Sequence, residues 1–411
     1  MVRELERKYQ SAKFPETAPA ANPVFFRTYS RRLTAGVRET WDDVCSRTLK
    51  GLVDLAQLSS EESAILDKMQ RNLKALPSGR WLWVGGTDWL AKSKNFSGAY
   101  NCTSTNLTDW SAFGLMMGLA MMGCGTGAVI EPRYISHLPS IRNRINLAVQ
   151  GEIGKTPVEQ RRESTEVKFE ENRVIIHVGD SREGWVDSYQ SLLELSSDER
   201  FEGVVEVIVD ISDVRNAGEP LQGFGGVANP VKLPGLYQRC ASILNKAVGR
   251  RLTSVECCLL IDEAAVTIVA GNIRRSAGIR QGASYDNSFA DAKTNLWQQG
   301  EDGNWRIDPD RDALRMANHT RVFHQKPSLE ECIAAVRKQY YSGEGAIQWA
   351  GEAVARANRD LLTTPELKNN FLVAYQQGEA KQWLKQKYPD LGAQEIEHRT
   401  ARMGLNPCGN R

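Results

Sequence analysis

Long apolar runs are missing from this 411-residue chain. No stretch of 18 consecutive apolar residues occurs, so no helix is expected to cross a membrane. The opening MVRELERKYQSAKF lacks the apolar core of a secretory leader. Cysteine is sparse: eight residues are too few for a disulfide scaffold and fit a reducing cytosol. An excess of one charge is missing too. Fifty-two basic residues face 50 acidic ones, a net charge of +2, which leaves neither an acidic tail nor a basic coat for nucleic acid. No GxxxxGK[ST] occurs, which excludes a P-loop. No CxxC occurs, and adjacent Cys257 and Cys258 point to different sides of a helix, so no metal site is expected. His319 and His324, five apart, read as packing or surface residues.

What is present reads as a globular α/β protein of two or three domains, with 41% hydrophobic and 25% charged residues. Residues 15–35 mix proline, alanine and aromatics and predict an irregular arm. Ser59 with Glu62, Thr253 with Glu256, and Ser328 with Glu331 have capping-box spacing and predict three helix starts. In the first helix Ile65, Leu66, Met69 and Leu73 share a face; in the third, Ile333, Val336 and Tyr340 do. AFGLMMGLAMM at 112–122 predicts a buried helix. GCGTG at 123–127 follows it and precedes AVIE, a short buried strand, so these glycines read as a tight helix-to-strand turn. The β-branched stretches 174–178 and 204–210 predict strands. Between 134 and 172 the chain turns polar and reads as an excursion from the core. The chain closes on MGLNPCGNR, without a final helix or strand to tie it down.

Three stretches have a composition suited to a site. Asn101–Cys102 precedes the buried helix. Two loops rich in glycine and arginine, DVRNAGEPLQGFGG (213–226) and AGNIRRSAGIRQG (270–282), offer backbone N–H groups and guanidinium forks to an anion. In Asn406–Pro407–Cys408–Gly409 the proline forces Asn406 to be extended and the glycine frees the turn, which would place a thiol at a loop tip.

These motifs, with NPVFFRTYSRR (22–32), RETWDDVC, SGRWLWVGGTDW, SREGW (181–185), VAGNIRRSAG and LNPCG, form a specific combination. The sequence resembles the adenosylcobalamin-dependent (class II) ribonucleotide reductases of the monomeric ribonucleoside-triphosphate reductase type, over their N-terminal part. The resemblance implies an α/β fold: an N-terminal arm and helical region over 1–90, then, over 91–411, the first part of a ten-stranded α/β barrel. It implies an effector-binding insertion at about 131–200, with 213–226 and 270–282 as the effector and specificity loops. The C-terminal barrel half and the cobalamin-binding region would be absent. Cys408 matches the finger-loop cysteine whose thiyl radical abstracts the ribose 3′-hydrogen. Asn406 matches a ribose contact, and Cys102 one of the two reducing cysteines. Asn410 stands where the family motif NPCGE has its glutamate base. Arg215, Gly218, Asn272, Arg274, Arg275 and Ser276 fall on the effector loops. Implied partners are a ribonucleoside triphosphate substrate, a dNTP effector, a thioredoxin-type or dithiol reductant and the missing C-terminal half. The implied cofactor is adenosylcobalamin. Asn410 opens a second reading, a catalytically incomplete dNTP-binding fragment left by an intein, an intron or a truncation.

Overall fold

The computed structural model describes residues 14–33, 37–221, 228–268, 277–342 and 345–407. The chain divides into two compact units at Asn101 and Cys102.

The first unit is helical: α1 (Ala21–Thr28), α2 (Trp41–Ala56), α3 (Ser60–Arg71), α4 (Gly79–Val84) and α5 (Asp88–Ala91). The arm read as irregular thus contains α1. Pro23 lies in its first turn, where a missing N–H leaves no intrahelical bond unmade. Phe25, Trp41, Val44, Cys45 and Leu82 form its small core. The Ser59–Glu62 capping box forms, and so does one at Thr40–Asp43. The apolar face of α3 is less covered than its pattern predicts: Ile65, Leu66 and Met69 stay exposed.

The second unit holds two main sheets. Strands β1 (Cys102–Asn106), β2 (Gly125–Val129), β7 (Gly278–Ala283), β10 (Ala317–Phe323) and β11 (Ala346–Trp349) lie in the order β1-β2-β7-β10-β11. Every pairing among them is parallel, and the sheet is open rather than closed into a barrel. The second sheet orders β3 (Arg144–Gln150), β4 (Glu166–Glu170), β5 (Arg173–His177) and β6 (Val204–Asp210) as β3-β6-β5-β4, with β4 and β5 antiparallel. The polar stretch read as an excursion therefore supplies β3 and β4 of a sheet completed by the expected strands β5 and β6, and its Ile145 enters the main core with Val174, Ile176, Val205 and Val207. Its polar residues alternate outward, which hid the strands. A ribbon of β8 (Trp297–Gln299) and β9 (Trp305–Ile307) stands apart.

Helices α6 (Trp110–Met121), α8 (Arg182–Leu195), α9 (Leu233–Lys246) and α10 (Ser254–Ile268) share the main core with both sheets. Helix α6 is apolar all round and is buried accordingly, with the Asp109 carboxylate capping the Ala112 N–H. Short helices α7 (Pro132–Ile135) and α11 (Asn287–Ala290) follow β2 and β7. Helix α12 (Leu329–Ser342) joins β10 to β11 and starts at the expected Ser328–Glu331 box, yet Ile333, Val336 and Tyr340 remain exposed. Helices α13 (Ala350–Ala357), α14 (Pro365–Gln376), α15 (Ala380–Lys387) and α16 (Ala393–Ala401) pack Val354, Phe371, Leu384 and Ile396 against Val129, Val322 and Met403.

Candidate active site

The parallel sheet has two unlike faces. One is closed by α6 and α10, with Thr126 against Met116, Met117 and Ile261. The other carries, by strand register, Cys102 and Ser104 of β1, Gly125, Gly127 and Val129 of β2, Ile279 and Gln281 of β7, Thr320 and Val322 of β10, and Gln348 of β11. The segment Met403–Pro407 lies across this second face and runs opposite to the strands. A Cβ on Gly404 would meet Ser104 and Val129, one on Gly127 would lie 2.2 Å from the Leu405 carbonyl oxygen, and one on Gly125 would lie 3.0 Å from Cys102 Sγ and 3.2 Å from Pro407. Only glycine lets a backbone approach a strand this closely. The GCGTG motif is thus half turn, at Gly123 with φ +71°, and half strand, at Gly125 and Gly127.

Side chains hold the segment in place. Gln281 is fully buried; its Nε2 donates to the Leu405 carbonyl at 3.0 Å, and its Oε1 accepts the Leu405 N–H at 2.7 Å. Gln348 Nε2 donates to the Met403 carbonyl at 2.6 Å. Arg133 donates to Met403 Sδ and to Glu131 Oε2, each at 2.8 Å. Glu131, itself buried, also meets His324 Nε2 at 2.6 Å, while His324 Nδ1 pairs with the Tyr375 hydroxyl at 3.1 Å. Burial pushes the Tyr375 hydroxyl up to about 12. His319 is buried and stacked on Phe289, with ring centroids 4.8 Å apart. Both histidines are packing residues.

Of the expected site residues, Cys102 opens β1 and Asn406 is half-buried between Leu405 and Pro407. The structure brings both to the sheet face just described. Cys408, Asn410, Asn272, Arg274, Arg275 and Ser276 lie outside the described residues. The stretch 270–282, read as a loop, is strand from Gly278 onward. Its Arg280 and Gln281 look like loop polarity but are internally paired. Arg280, wholly buried, clasps Asp262 Oδ1 of α10 at 2.6 and 3.1 Å and donates to the Thr126 carbonyl. Desolvation pushes the Asp262 carboxyl up, against the pull of Arg280.

Arg215 is not a free cation. Its Nε and its own backbone N–H both reach Asp180 Oδ1, at 2.8 and 3.0 Å, and Nη2 reaches the Asp180 carbonyl. Alongside, Arg161 forks onto Glu219 at 2.7 and 3.0 Å, and Glu219 also accepts the Asn216 N–H. The Arg161 hydrogen bond holds the Glu219 carboxyl below the usual range. Gly218, at φ +91°, donates its N–H to the Ala228 carbonyl, and the Ala228 N–H returns to Glu219. Sequence reasoning singled out neither Arg161 nor Gln281, Gln348 or Glu131.

Comparison with known proteins bears on this arrangement. Residues 152–242 match the family model of the insertion domain of B12-dependent ribonucleotide reductase. The adenosylcobalamin-dependent ribonucleoside-triphosphate reductase of Levilactobacillus brevis is 27% identical over 318 residues, covering 65% of this chain and 41% of that protein. A probable adenosylcobalamin-dependent ribonucleoside-triphosphate reductase of Dictyostelium discoideum is 26% identical over 345 residues, covering 79% of this chain and 42% of that protein. A crystal structure of a B12-dependent (class II) ribonucleotide reductase shares the fold at TM-score 0.62 and 23% identity, over 77% of this chain and 47% of that one. The chain spans less than half the length of the curated relatives it matches. By insertion domain, sequence and fold, the chain is related to the B12-dependent, class II ribonucleotide reductases.

Proposed function

We propose that this chain is the N-terminal part of an adenosylcobalamin-dependent ribonucleoside-triphosphate reductase that makes 2′-deoxyribonucleoside triphosphates. The observation that carries the reading is the Met403–Pro407 segment, laid over the glycines of β2 and ending beside Cys102. The next residue in sequence is Cys408. In this reading a thiyl radical at Cys408 removes the ribose 3′-hydrogen, the 2′-hydroxyl leaves as water, and Cys408 returns the 3′-hydrogen once the sugar is reduced. Cys102 and a second thiol give up two electrons and two protons and become a disulfide, which a thioredoxin-type or dithiol reductant reopens. A hydrogen-atom donor must be a neutral thiol, so Cys408 needs apolar surroundings that disfavour thiolate. Asn406 offers both a donor and an acceptor to ribose hydroxyls. Arg215, Gly218, Asn272, Arg274, Arg275 and Ser276 belong to the loops that would read a dNTP effector.

Adenosylcobalamin supplies the radical when bound. Among the described residues, the β2 glycines beside Cys102 lie under the 403–407 segment and leave no open apolar platform for a corrin. No residue of this chain is therefore assigned to the cofactor, and no step is derived through it.

Asn410 favours a second reading, nucleotide binding without turnover. An amide cannot take the 3′-hydroxyl proton, and a positioned base commonly contributes about 10²–10⁴-fold in rate. One assay separates the readings: CTP and ATP reduction by this chain together with the C-terminal half of a class II reductase, with adenosylcobalamin and dithiol, beside calorimetry with dNTPs. Deoxynucleotide product that Cys408→Ala and Cys102→Ala abolish supports the reductase. dNTP binding without product, weakened more than about tenfold by Arg274→Ala through loss of a charge-assisted contact, supports the second reading. Neither product nor binding would overturn both.

A further inference from the structure

Central strands of a parallel sheet are covered on both faces and usually carry branched apolar side chains. Here the central strand β7 departs from that rule, and the edge strand β11 carries a second buried amide on the same face. Gln281 is fully buried and Gln348 is 7% exposed, so both amides are taken from water. Burying an amide costs free energy unless its groups are paired, so a pair of buried amides calls for a reason. Their partners supply it. The Gln281 side chain does not bond to a neighbouring strand. Its carboxamide meets the N–H and the C=O of Leu405 together, as a strand residue would in a ladder. Gln348 Nε2 takes the Met403 carbonyl two residues earlier, while its Oε1 is buried without a partner. Across the segment, Gly127 leaves just enough room for the Leu405 carbonyl that Gln281 holds. Pro407 then restricts the backbone one residue before Cys408.

We propose that Gln281 and Gln348 are positioning residues for the Cys408 thiol. Two rigid strands thereby set the path of the segment that leads to it, in place of a loop free to wander. Productive geometry tolerates only about half an ångström of error, and side chains carried on strands hold it better than loops do. The proposal rests on the reductase reading for its catalytic meaning and on the Leu405 contacts for its physical content.

The test is amide hydrogen exchange on the full 411-residue chain under reducing conditions, with Cys408 alkylation by iodoacetamide as the second readout. In Gln281→Leu, exchange at the Leu405 amide should rise at least about tenfold and Cys408 alkylation should quicken with it, while β7 and β10 amides keep wild-type protection. Gln281→Glu keeps an acceptor for the Leu405 N–H but loses the donor to the Leu405 carbonyl, so exchange at Leu405 should rise there too. Gln348→Leu, which leaves the Leu405 contacts in place, should raise Cys408 alkylation by a smaller factor. It also serves if Gln281→Leu does not fold. Unchanged Leu405 exchange and unchanged Cys408 alkylation in both leucine variants overturns the proposal. The exchange pattern is independent of turnover. Were the chain, completed by its C-terminal half, to reduce no nucleotide while keeping this pattern, the reductase reading would fail and the holding of the segment would stand.

Discussion

Gly127→Ala puts the closeness of the 403–407 segment to the sheet on trial. The new Cβ would lie 2.2 Å from the Leu405 carbonyl oxygen, 3.0 Å from the Thr103 carbonyl oxygen and 3.2 Å from Ile279 Cγ2. The two nearest atoms are backbone and cannot swing aside. Either β1 or the segment must move. Overpacking of this kind costs about 1–3 kcal/mol. If the segment yields, the two Gln281–Leu405 hydrogen bonds go as well, at about 0.5–1.5 kcal/mol each. A gain of about 0.4–1 kcal/mol from a stiffer unfolded chain offsets little of this. The expected loss is about 2–5 kcal/mol. Gly118 in α6 is the control. A Cβ there would find Val186 Cγ2 at 3.5 Å and Arg182 Nη1 at 3.9 Å, ordinary contacts. Gly118→Ala should therefore gain about 1 kcal/mol from helix propensity. Urea unfolding followed by tryptophan fluorescence reads both variants on one scale. Gly127→Ala within about 0.5 kcal/mol of wild type, or Gly118→Ala as damaging as Gly127→Ala, would refute the reasoning.

Other perturbations follow from the buried charges. Asp262→Ala leaves the Arg280 guanidinium buried without its carboxylate and should cost about 3–5 kcal/mol in the same assay, with part recovered on adding Arg280→Met. Full cost retained in the double variant would deny the pair its role. Burial, with help from Lys293 and Arg280, holds His319 down to about 3 from its usual 6.5. The folded state refuses a proton that the unfolded chain accepts, so stability is full above pH 6.5 and falls from there towards pH 3. His319→Phe should flatten that limb in acid titration followed by circular dichroism, and an unchanged limb would assign it to other groups. The Glu219 carboxyl is held low by Arg161, so its contribution is present above its unfolded value of 4.5 and drains as pH falls below it. Glu219→Gln should remove only that increment, a small one because the carboxylate is partly exposed.

Local signals were legible in the sequence wherever one residue type performs one task. The boxes at Ser59–Glu62, Thr253–Glu256 and Ser328–Glu331 all form. The box at Thr40–Asp43 escaped notice because aspartate stands where the common pattern has glutamate or glutamine. Strand β7 escaped for a deeper reason. GIRQGA has the composition of a turn, and its strand character comes from partners far away in sequence: Asp262 for Arg280 and Leu405 for Gln281. Period-two reading has no access to such pairs. The β-branched β5 and β6 carry their own evidence and were found. Cys102 and Asn406 were found by motif. The glutamines that hold the segment between them were not, since a buried amide becomes informative only once its burial is known.

The order of the strands also has a consequence in time. β4 and β5 pair across a short turn, and β10 and β11 across one helix. β2 reaches β7 only after the whole second sheet and three long helices have intervened. The segment at 403–407 needs both β2 and β7 in place before it finds either glycine or glutamine. Closing long loops is slow, and contacts that depend on earlier closures form after the rate-limiting step. Replacements at Gly127 or Gln281 should therefore leave the folding rate nearly unchanged and speed unfolding, with φ-values near zero. A segment that docks last is also the first to leave. The path to Cys408 can open and reclose while the sheets beneath it stay folded.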